Sequence, residues 1–475
     1  MKRLFGTDGI RGVAGEFPLD PATVERVGAA LSTTLAAAGG GSPRIVIGRD
    51  TRESGPAIEE ALVRGIARVG GRAVRGGVLT TPAVACVARL LGFDAGVVVS
   101  ASHNPYRDNG IKVFSRDGAK LPDAQELKIE RRVLDGGAPP PGAAGRREAS
   151  ARSRARKAGD ARATEDAPLS PEDLRERYLE WLAAALPPRS GFPGWSIVLD
   201  CANGAASDLG PALFQRLGAE VTALNVTPDG RNINAGCGAL HPDRLCSEVV
   251  RRRARIGFAF DGDADRCVAA DASGRLLDGD HLMYLAARDM KGAARLRGST
   301  VVATVMSNLW LERALRAEAI RMLRAPVGDR YVLEEMRRGG FVLGGEPSGH
   351  VIFLEKATTG DGLLTALLVL DLLRRTGIDL AAWAGSVRPC PQVLVNVPVR
   401  EQPPLASHPA IGPAILEEER RLGARGRLLV RYSGTEPKAR IMVEGESRDA
   451  VQACAARLRD LIEREIGRAR ARTEE

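Results

Sequence analysis

At 475 residues the chain is longer than one core usually organises, so roughly three domains is the starting expectation. Its composition, 44% hydrophobic and 27% charged with 54 Gly and 28 Pro, is that of a turn-rich globular protein and excludes fibrous or wholly disordered classes. The formal charge of +9 does not mark a nucleic-acid face, because most of the excess falls in Arg146 to Lys157, where only Glu148 stands against the cations.

In chain order, Arg44 to Gly48 reads as a short buried strand, Ala57 to Val69 as a helix and Ala95 to Val99 as a second strand. This alternation predicts a mostly parallel sheet. Gly136 to Pro168, rich in Ala, Pro, Gly and Arg, has no apolar periodicity and reads as a linker or insertion expected to be disordered and solvated. A second round runs from a strand at Ser196 to Asp200, through a helix near Gly210 to Leu217 and a strand from Glu220 to Val226, to a strand at Ile256 to Phe260. A third spans Thr300 to Thr304 and Phe341 to Gly344. Each round puts its polar, glycine-rich segment just after a strand, where open α/β sheets bind ligands. The last stretch differs, with strands at Val393 to Val399, Arg427 to Arg431 and Ala439 to Glu444 and an amphipathic helix from Asp449 to Ile466. The expected domains are therefore 1–135, 169–275, 276–385 and 386–475, with 136–168 as the insertion.

The seven cysteines are odd in number and form no Cys-x-x-Cys, which points to neither a disulfide framework nor a zinc ribbon but to a reducing cytoplasm. The N-terminus turns polar before an apolar signal core, and the most apolar run, Leu363 to Leu373, is too short for a bilayer, so neither a signal peptide nor a membrane span is expected.

Chemistry concentrates in four loops. Asp261-Gly-Asp263-Ala-Asp265-Arg266 places three carboxylates at alternate positions after an apolar strand, a cluster that repels itself unless a divalent cation sits within it. An EF-hand is excluded by Arg266 and Ala272 where Gly and Glu are required, and Mg²⁺ suits the site. Ser100-Ala-Ser102-His103-Asn104-Pro105 ends a strand in hydroxyls, with Ser102 placed as nucleophile or phosphoryl carrier. A Ser/His hydrolase pair competes with that reading, although neighbouring side chains on an extended turn usually point apart. Arg431 to Arg440, with Ser433, Gly434 and Thr435, offers cations, hydroxyls and backbone N–H groups to a phosphate monoester. Glu346-Pro-Ser348-Gly-His350 brings a carboxylate, a hydroxyl and an imidazole into one turn suited to sugar hydroxyls, though either of these two loops is also compatible with an ordinary turn.

Taken together and in this order, the four loops resemble the phosphoserine, magnesium, sugar and phosphate loops of the α-D-phosphohexomutase superfamily. Phe5 to Gly12, Asn232 to Ala239 and Val327 to Tyr331 are similar to its glucosamine branch, while Pro347 departs from that branch's sugar loop. The resemblance implies an α/β fold: three similar mixed α/β domains followed by a smaller α+β C-terminal domain around a central cleft. It implies an isomerase that interconverts glucosamine 6-phosphate and glucosamine 1-phosphate on the route to UDP-N-acetylglucosamine and cell-wall precursors. Glucosamine or glucose 1,6-bisphosphate would be intermediate and activator. Ser102 would carry the phosphoryl group and, with Asp261, Asp263 and Asp265, hold Mg²⁺. Lys112, Arg11, Arg266 and His103 would be catalytic, with Lys112 as proton-transfer group. Glu346, Ser348, His350, Arg431, Ser433, Gly434, Thr435 and Arg440 would bind substrate. The implied partners are sugar phosphates, without nucleic acid or membrane, on a monomer or homodimer. Alternatives are a glucose or mannose phosphate mutase of the same superfamily, a magnesium phosphatase phosphorylated on the first Asp of its loop, and a catalytically silent sugar-phosphate sensor.

Overall fold

The computed structural model describes residues 4–6, 8–39, 41–135, 169–433 and 437–468; the expected insertion 136–168 lies outside the described residues. The chain divides into two compact units, Met1–Val305 with Leu323–Gly385, and Met306–Met322 with Ser386–Glu475.

The first unit is built on sheets made from buried, β-branched or aromatic runs. One has six strands in the order β1-β2-β6-β5-β3-β4: β1 Phe5–Gly6, β2 Gly9–Val13, β3 Arg44–Arg49, β4 Arg72–Val78, β5 Ala95–Val99 and β6 Asp108–Ser115. The next has the order β11-β10-β9-β7-β8: β7 Ser196–Asp200, β8 Glu220–Leu224, β9 Ile256–Phe260, β10 Cys267–Asp271 and β11 Leu276–Leu277. The third is β13-β12-β14-β15: β12 Thr300–Thr304, β13 Arg321–Ala325, β14 Leu343–Gly345 and β15 Val351–Phe353. β5 and β9 are buried at every residue, which is why Val and Phe run through them without polar alternation.

The sheets are not mostly parallel, and this corrects the expectation from sequence. β4, β3 and β5 are parallel, but β6 returns antiparallel to β5. β8, β7 and β9 are parallel and β10 returns antiparallel to β9; β12 and β14 are parallel and β15 returns antiparallel to β14. The three chemistry-bearing loops are these three returns. Each is far shorter than the dozen or more residues that a parallel crossover needs, so the chain can only turn back beside the strand it has left.

The second unit pairs β16 Gln392–Pro398, β18 Lys438–Gly445 and β17 Gly426–Tyr432 antiparallel in that order. Helix Arg448–Ile466 lays Val451, Leu458 and Ile462 against Val397, Ile441 and Val443. Among the described residues no helix is long and apolar enough to cross a membrane.

One buried carboxylate ties helix Pro171–Ala183 to helix Gly362–Thr376. Asp361 caps the latter, accepting from Leu364 N at 3.0 Å, and its other oxygen accepts from Tyr178 Oη at 2.8 Å. Burial raises the Asp361 carboxyl to about 6 from its ordinary 3.8, so the folded state holds a proton that the unfolded chain releases. That contribution is complete below the unfolded value and is lost as pH rises through the folded one. Asp361→Asn is therefore expected to be more stable than the parent at neutral pH by up to about 3 kcal/mol, converging with it near pH 4. Chemical denaturation of both proteins across this range checks it; a constant offset would remove the assignment.

Candidate active site

Ser102 lies on the return between β5 and β6 and is buried, with a left-handed φ of 55°. Its Oγ donates to Asp261 Oδ2 at 2.6 Å. The unusual backbone conformation also brings Oγ to 3.2 Å from His103 Nδ1, so these neighbours do not point apart as expected for an extended turn. Burial and the nearby Arg266 and Arg11 charges lower the His103 pKa to about 4, which keeps the imidazole neutral at neutral pH and makes it a weak base.

Asp261 to Arg266 form the return between β9 and β10, directly against the serine loop. Gly262 makes this approach possible, because a Cβ there would stand 2.6 Å from the Ser102 carbonyl oxygen and 2.8 Å from Asn234 Nδ2. Asp261, Asp263 and Asp265 are buried, and each places an oxygen within 4.8 Å of the others. Burial and the charges of Asp265 and Asp263 push the Asp261 carboxyl well above the usual range. Asp263 Oδ1 and Asp265 Oδ1 are buried without a hydrogen-bond partner. Two orphaned carboxylate oxygens facing a third carboxylate fit a hard divalent cation.

Lys112 on β6 partly compensates this charge. Its Nζ donates to Asp263 Oδ2 at 2.8 Å and lies 3.5 Å from Asp265 Oδ2 and 3.4 Å from Asp8 Oδ2, with the side chain 1% exposed. Burial opposes the charge, yet the carboxylates of Asp263, Asp8 and Asp265 together raise its pKa well above the ordinary lysine value. Thr81 Oγ1 also donates to Asp263 Oδ2, at 2.6 Å. Lys112, Arg11 and Arg266 thus gather around Ser102 and the triad; Arg11 Nε and Arg266 Nε are buried without hydrogen-bond partners, Arg266 Nε lying 3.9 Å from Asp265 Oδ1.

The return between β14 and β15 carries Glu346, Ser348 and His350. Glu346 Oε1 accepts from Gly328 N at 3.0 Å and Oε2 from Ser348 Oγ at 3.4 Å. His350 Nε2 accepts from Gly360 N at 2.9 Å, which leaves Nδ1 to face Asp265 Oδ2 at 3.7 Å. Pro347 has no amide N–H to offer this loop, and its carbonyl accepts from Gly279 N at 3.0 Å. Lys120 joins the sugar side to the serine side, pairing with Asp329 at 2.6 Å and with Asp8. Asp8 and Asp329 lie within the segments Phe5 to Gly12 and Val327 to Tyr331, where the sequence assigns them no role, and Lys120 and Thr81 lie outside every motif. Only folding sets these against the triad or its loops, so no local pattern could have found them. Asn234, in the segment similar to the glucosamine branch, donates to the Ser102 carbonyl at 2.9 Å and so backs the serine loop.

In the second unit Arg431 and Arg440 stand directly opposite across β17 and β18. Burial and the Arg440 charge lower the Arg431 pKa, the signature of like charges that favour an anionic ligand. Ser433 N donates to Lys438 O at 2.8 Å, and Gly434 and Thr435 lie outside the described residues.

If Lys112 compensates the triad, Lys112→Met should lower stability by about 3–5 kcal/mol in a chelator, the usual cost of breaking a buried ion pair, and by clearly less with a saturating divalent cation. Urea unfolding under both conditions measures this. Equal losses would mean that lysine and cation do not share the cluster.

Comparison with known proteins covers nearly the whole chain. The chain matches the phosphoglucomutase/phosphomannomutase models for alpha/beta/alpha domain I at residues 2–138, domain II at 176–274, domain III at 278–389 and the C-terminal domain at 394–461. It is 48% identical over 467 residues to a phosphoglucosamine mutase of Anaeromyxobacter sp. (strain Fw109-5), covering 98% of this chain and 96% of that protein. With a phosphoglucosamine mutase of Geobacter metallireducens it shares 45% identity, over 98% of this chain and 100% of that one. Among solved structures, a phosphoglucomutase/phosphomannomutase family protein from Burkholderia thailandensis superposes with a TM-score of 0.75 at 24% identity, covering 98% of each chain. The Aspergillus fumigatus N-acetylphosphoglucosamine mutase, solved with GlcNAc-6P and magnesium, gives 0.63 at 20% identity, over 97% of this chain and 96% of that one, a likeness of fold. The chain belongs to the phosphoglucosamine mutase family, isomerases built from the four domains of the phosphoglucomutase/phosphomannomutase architecture.

Proposed function

We propose that the chain interconverts glucosamine 6-phosphate and glucosamine 1-phosphate, with Ser102 carrying the phosphoryl group in transit. The observation that carries this reading is the 2.6 Å bond from Ser102 Oγ to Asp261, in a buried triad where Asp263 Oδ1 and Asp265 Oδ1 accept no hydrogen bond. Asp261, Asp263 and Asp265, with Ser102, would hold Mg²⁺, which when bound neutralises the charge of the transferring phosphoryl group.

The chain's own residues position the rest. A sugar hydroxyl attacks the phosphorus of phospho-Ser102; a P–O bond to the sugar forms as the bond to Oγ breaks, giving a glucosamine 1,6-bisphosphate. The other phosphate then returns to Oγ, leaving the isomeric monophosphate. Arg11 and Arg266, with their open Nε donors, face the charge that spreads over the phosphoryl oxygens. Lys112, held protonated, is assigned the proton that Oγ needs as leaving group, and the proton that the attacking sugar hydroxyl gives up as its P–O bond forms restores the lysine. His103, neutral and 3.2 Å from Oγ, holds that oxygen's orientation and is too weak a base to drive the step. Glu346, Ser348 and His350 are assigned the sugar, and Arg431, Ser433, Gly434, Thr435 and Arg440 a phosphate monoester. The phosphatase alternative, with Asp261 as nucleophile, is disfavoured because the relatives over the whole chain are mutases and Asp261 is engaged by the Ser102 hydroxyl.

Ser102→Ala should abolish turnover while sugar-phosphate binding stays measurable by calorimetry, and peptide mass analysis of the parent should place one phosphoryl group on Ser102. Finding it on Asp261 would replace this mechanism with the phosphatase. With Mg²⁺ and a trace of bisphosphate, glucosamine 6-phosphate should give the highest kcat/KM, and glucose 6-phosphate one lower by about ten-fold or more, since a polar group left unpaired costs about 1–3 kcal/mol. Equal values for the glucose or mannose substrate would overturn the sugar assignment alone, and full activity after chelation would overturn the metal.

A further inference from the structure

The serine loop is held from behind by one side chain outside the four motifs. Arg52, in the turn after β3, is 0% exposed. Its Nε donates to Asp50 Oδ2 at 2.8 Å; Nη1 donates to the carbonyls of Asp108 at 2.9 Å and of Pro105; Nη2 donates to those of Ser102 at 3.0 Å and Asn104 at 2.8 Å. All five guanidinium N–H groups are thereby used, three of them on the loop that presents Ser102 and one on Asp108, where β6 begins. Asp50, also fully buried, accepts from Ser100 Oγ at 2.6 Å, and Ser100 Oγ in turn accepts from Ser102 N at 2.9 Å. Both backbone polar groups of Ser102 are thus fixed by the Asp50–Arg52 pair, the carbonyl directly and the N–H through Ser100.

We propose that Arg52 is the positioning residue for phosphoryl transfer, holding Ser102 in its left-handed conformation so that Oγ points at Asp261. The inference rests on the reading of Ser102 as phosphoryl carrier. A serine at φ 55° keeps that conformation only where its surroundings over-determine it. Here a buried cation draws four carbonyls inward on one side of the loop, which turns Oγ to the other. A buried cation with no carboxylate would be strongly unfavourable, and Asp50 removes that cost. Lysine could keep the charge pair with Asp50, but a single ammonium with three donors cannot span four carbonyls at once.

The test uses the full chain and compares the parent with Arg52→Lys, Ser100→Ala and Ser102→Ala at a temperature well below each unfolding midpoint. Arg52→Lys is expected to lower kcat by about 10–100-fold, the scale of an ångström-level misplacement, with KM within about two-fold, and to shift or broaden the ³¹P resonance of phosphoserine. Ser100→Ala, which leaves the ion pair intact, should show the same kcat-only defect at about 3–10-fold, on the same principle. A role limited to stability would move the midpoint and leave kcat and the resonance unchanged. If Arg52→Lys does not fold, Ser100→Ala decides: parental kcat overturns the inference, and a kcat loss at constant KM supports it. An active Ser102→Ala would instead overturn the phosphoserine reading. An inactive Ser102→Ala beside parental kcat in both other variants would overturn only the role of Arg52.

Discussion

Three carboxylates buried within 4.8 Å of one another are the constraint around which the first unit is arranged. Like charges cannot share so small a volume away from water without compensation, and the compensation has to come from other parts of the chain. Lys112 supplies it from the first sheet, Arg266 from the same loop, and the orphaned oxygens of Asp263 and Asp265 leave room for a cation. Removing any of these partners leaves a charge that must protonate or repel. The triad therefore joins two sheets electrostatically, and Ser102 is bonded to it at the point where they meet.

The shared topology of the three sheets explains why the chemistry appears where it does. A buried strand cannot carry unpaired polar groups along its length, so polar side chains collect where it ends. In each sheet the strand that ends there is followed by an antiparallel return, and a short return keeps its side chains at the strand's end. Contacts onto the returns from neighbouring strands, helices and turns then assemble one site. Thr81 and Lys112 reach Asp263, His350 faces Asp265, and Lys120 bridges Asp8 to Asp329, whose neighbour Gly328 fixes Glu346. The same logic of buried charge balanced by a partner distant in sequence recurs in Asp50 with Arg52 behind the serine loop.

The sequence by itself determined what is local and contiguous. Strand Ile256–Phe260 followed by alternating aspartates, Ser102 at the end of Ala95–Val99, and the turn from Glu346 to His350 were all legible, because hydrophobic runs and motif spacing are properties of neighbouring residues. The antiparallel returns were not read from sequence, because βα alternation pointed to parallel sheets and the returning strands β6, β10 and β15 were not recognised. What only the tertiary structure decided was pairing across the chain. Lys112 faces Asp263, 151 positions away, Arg52 reaches carbonyls 50 to 56 positions away, and Asn234, in the loop after β8, donates to the Ser102 carbonyl. It also decided that Ser102 and His103 meet, since only a loop restrained by contacts from outside itself holds a serine at positive φ. The physical reason is that backbone propensity and burial act over a few residues, whereas charge compensation in a dry interior depends on which distant groups the fold brings within about 4 Å.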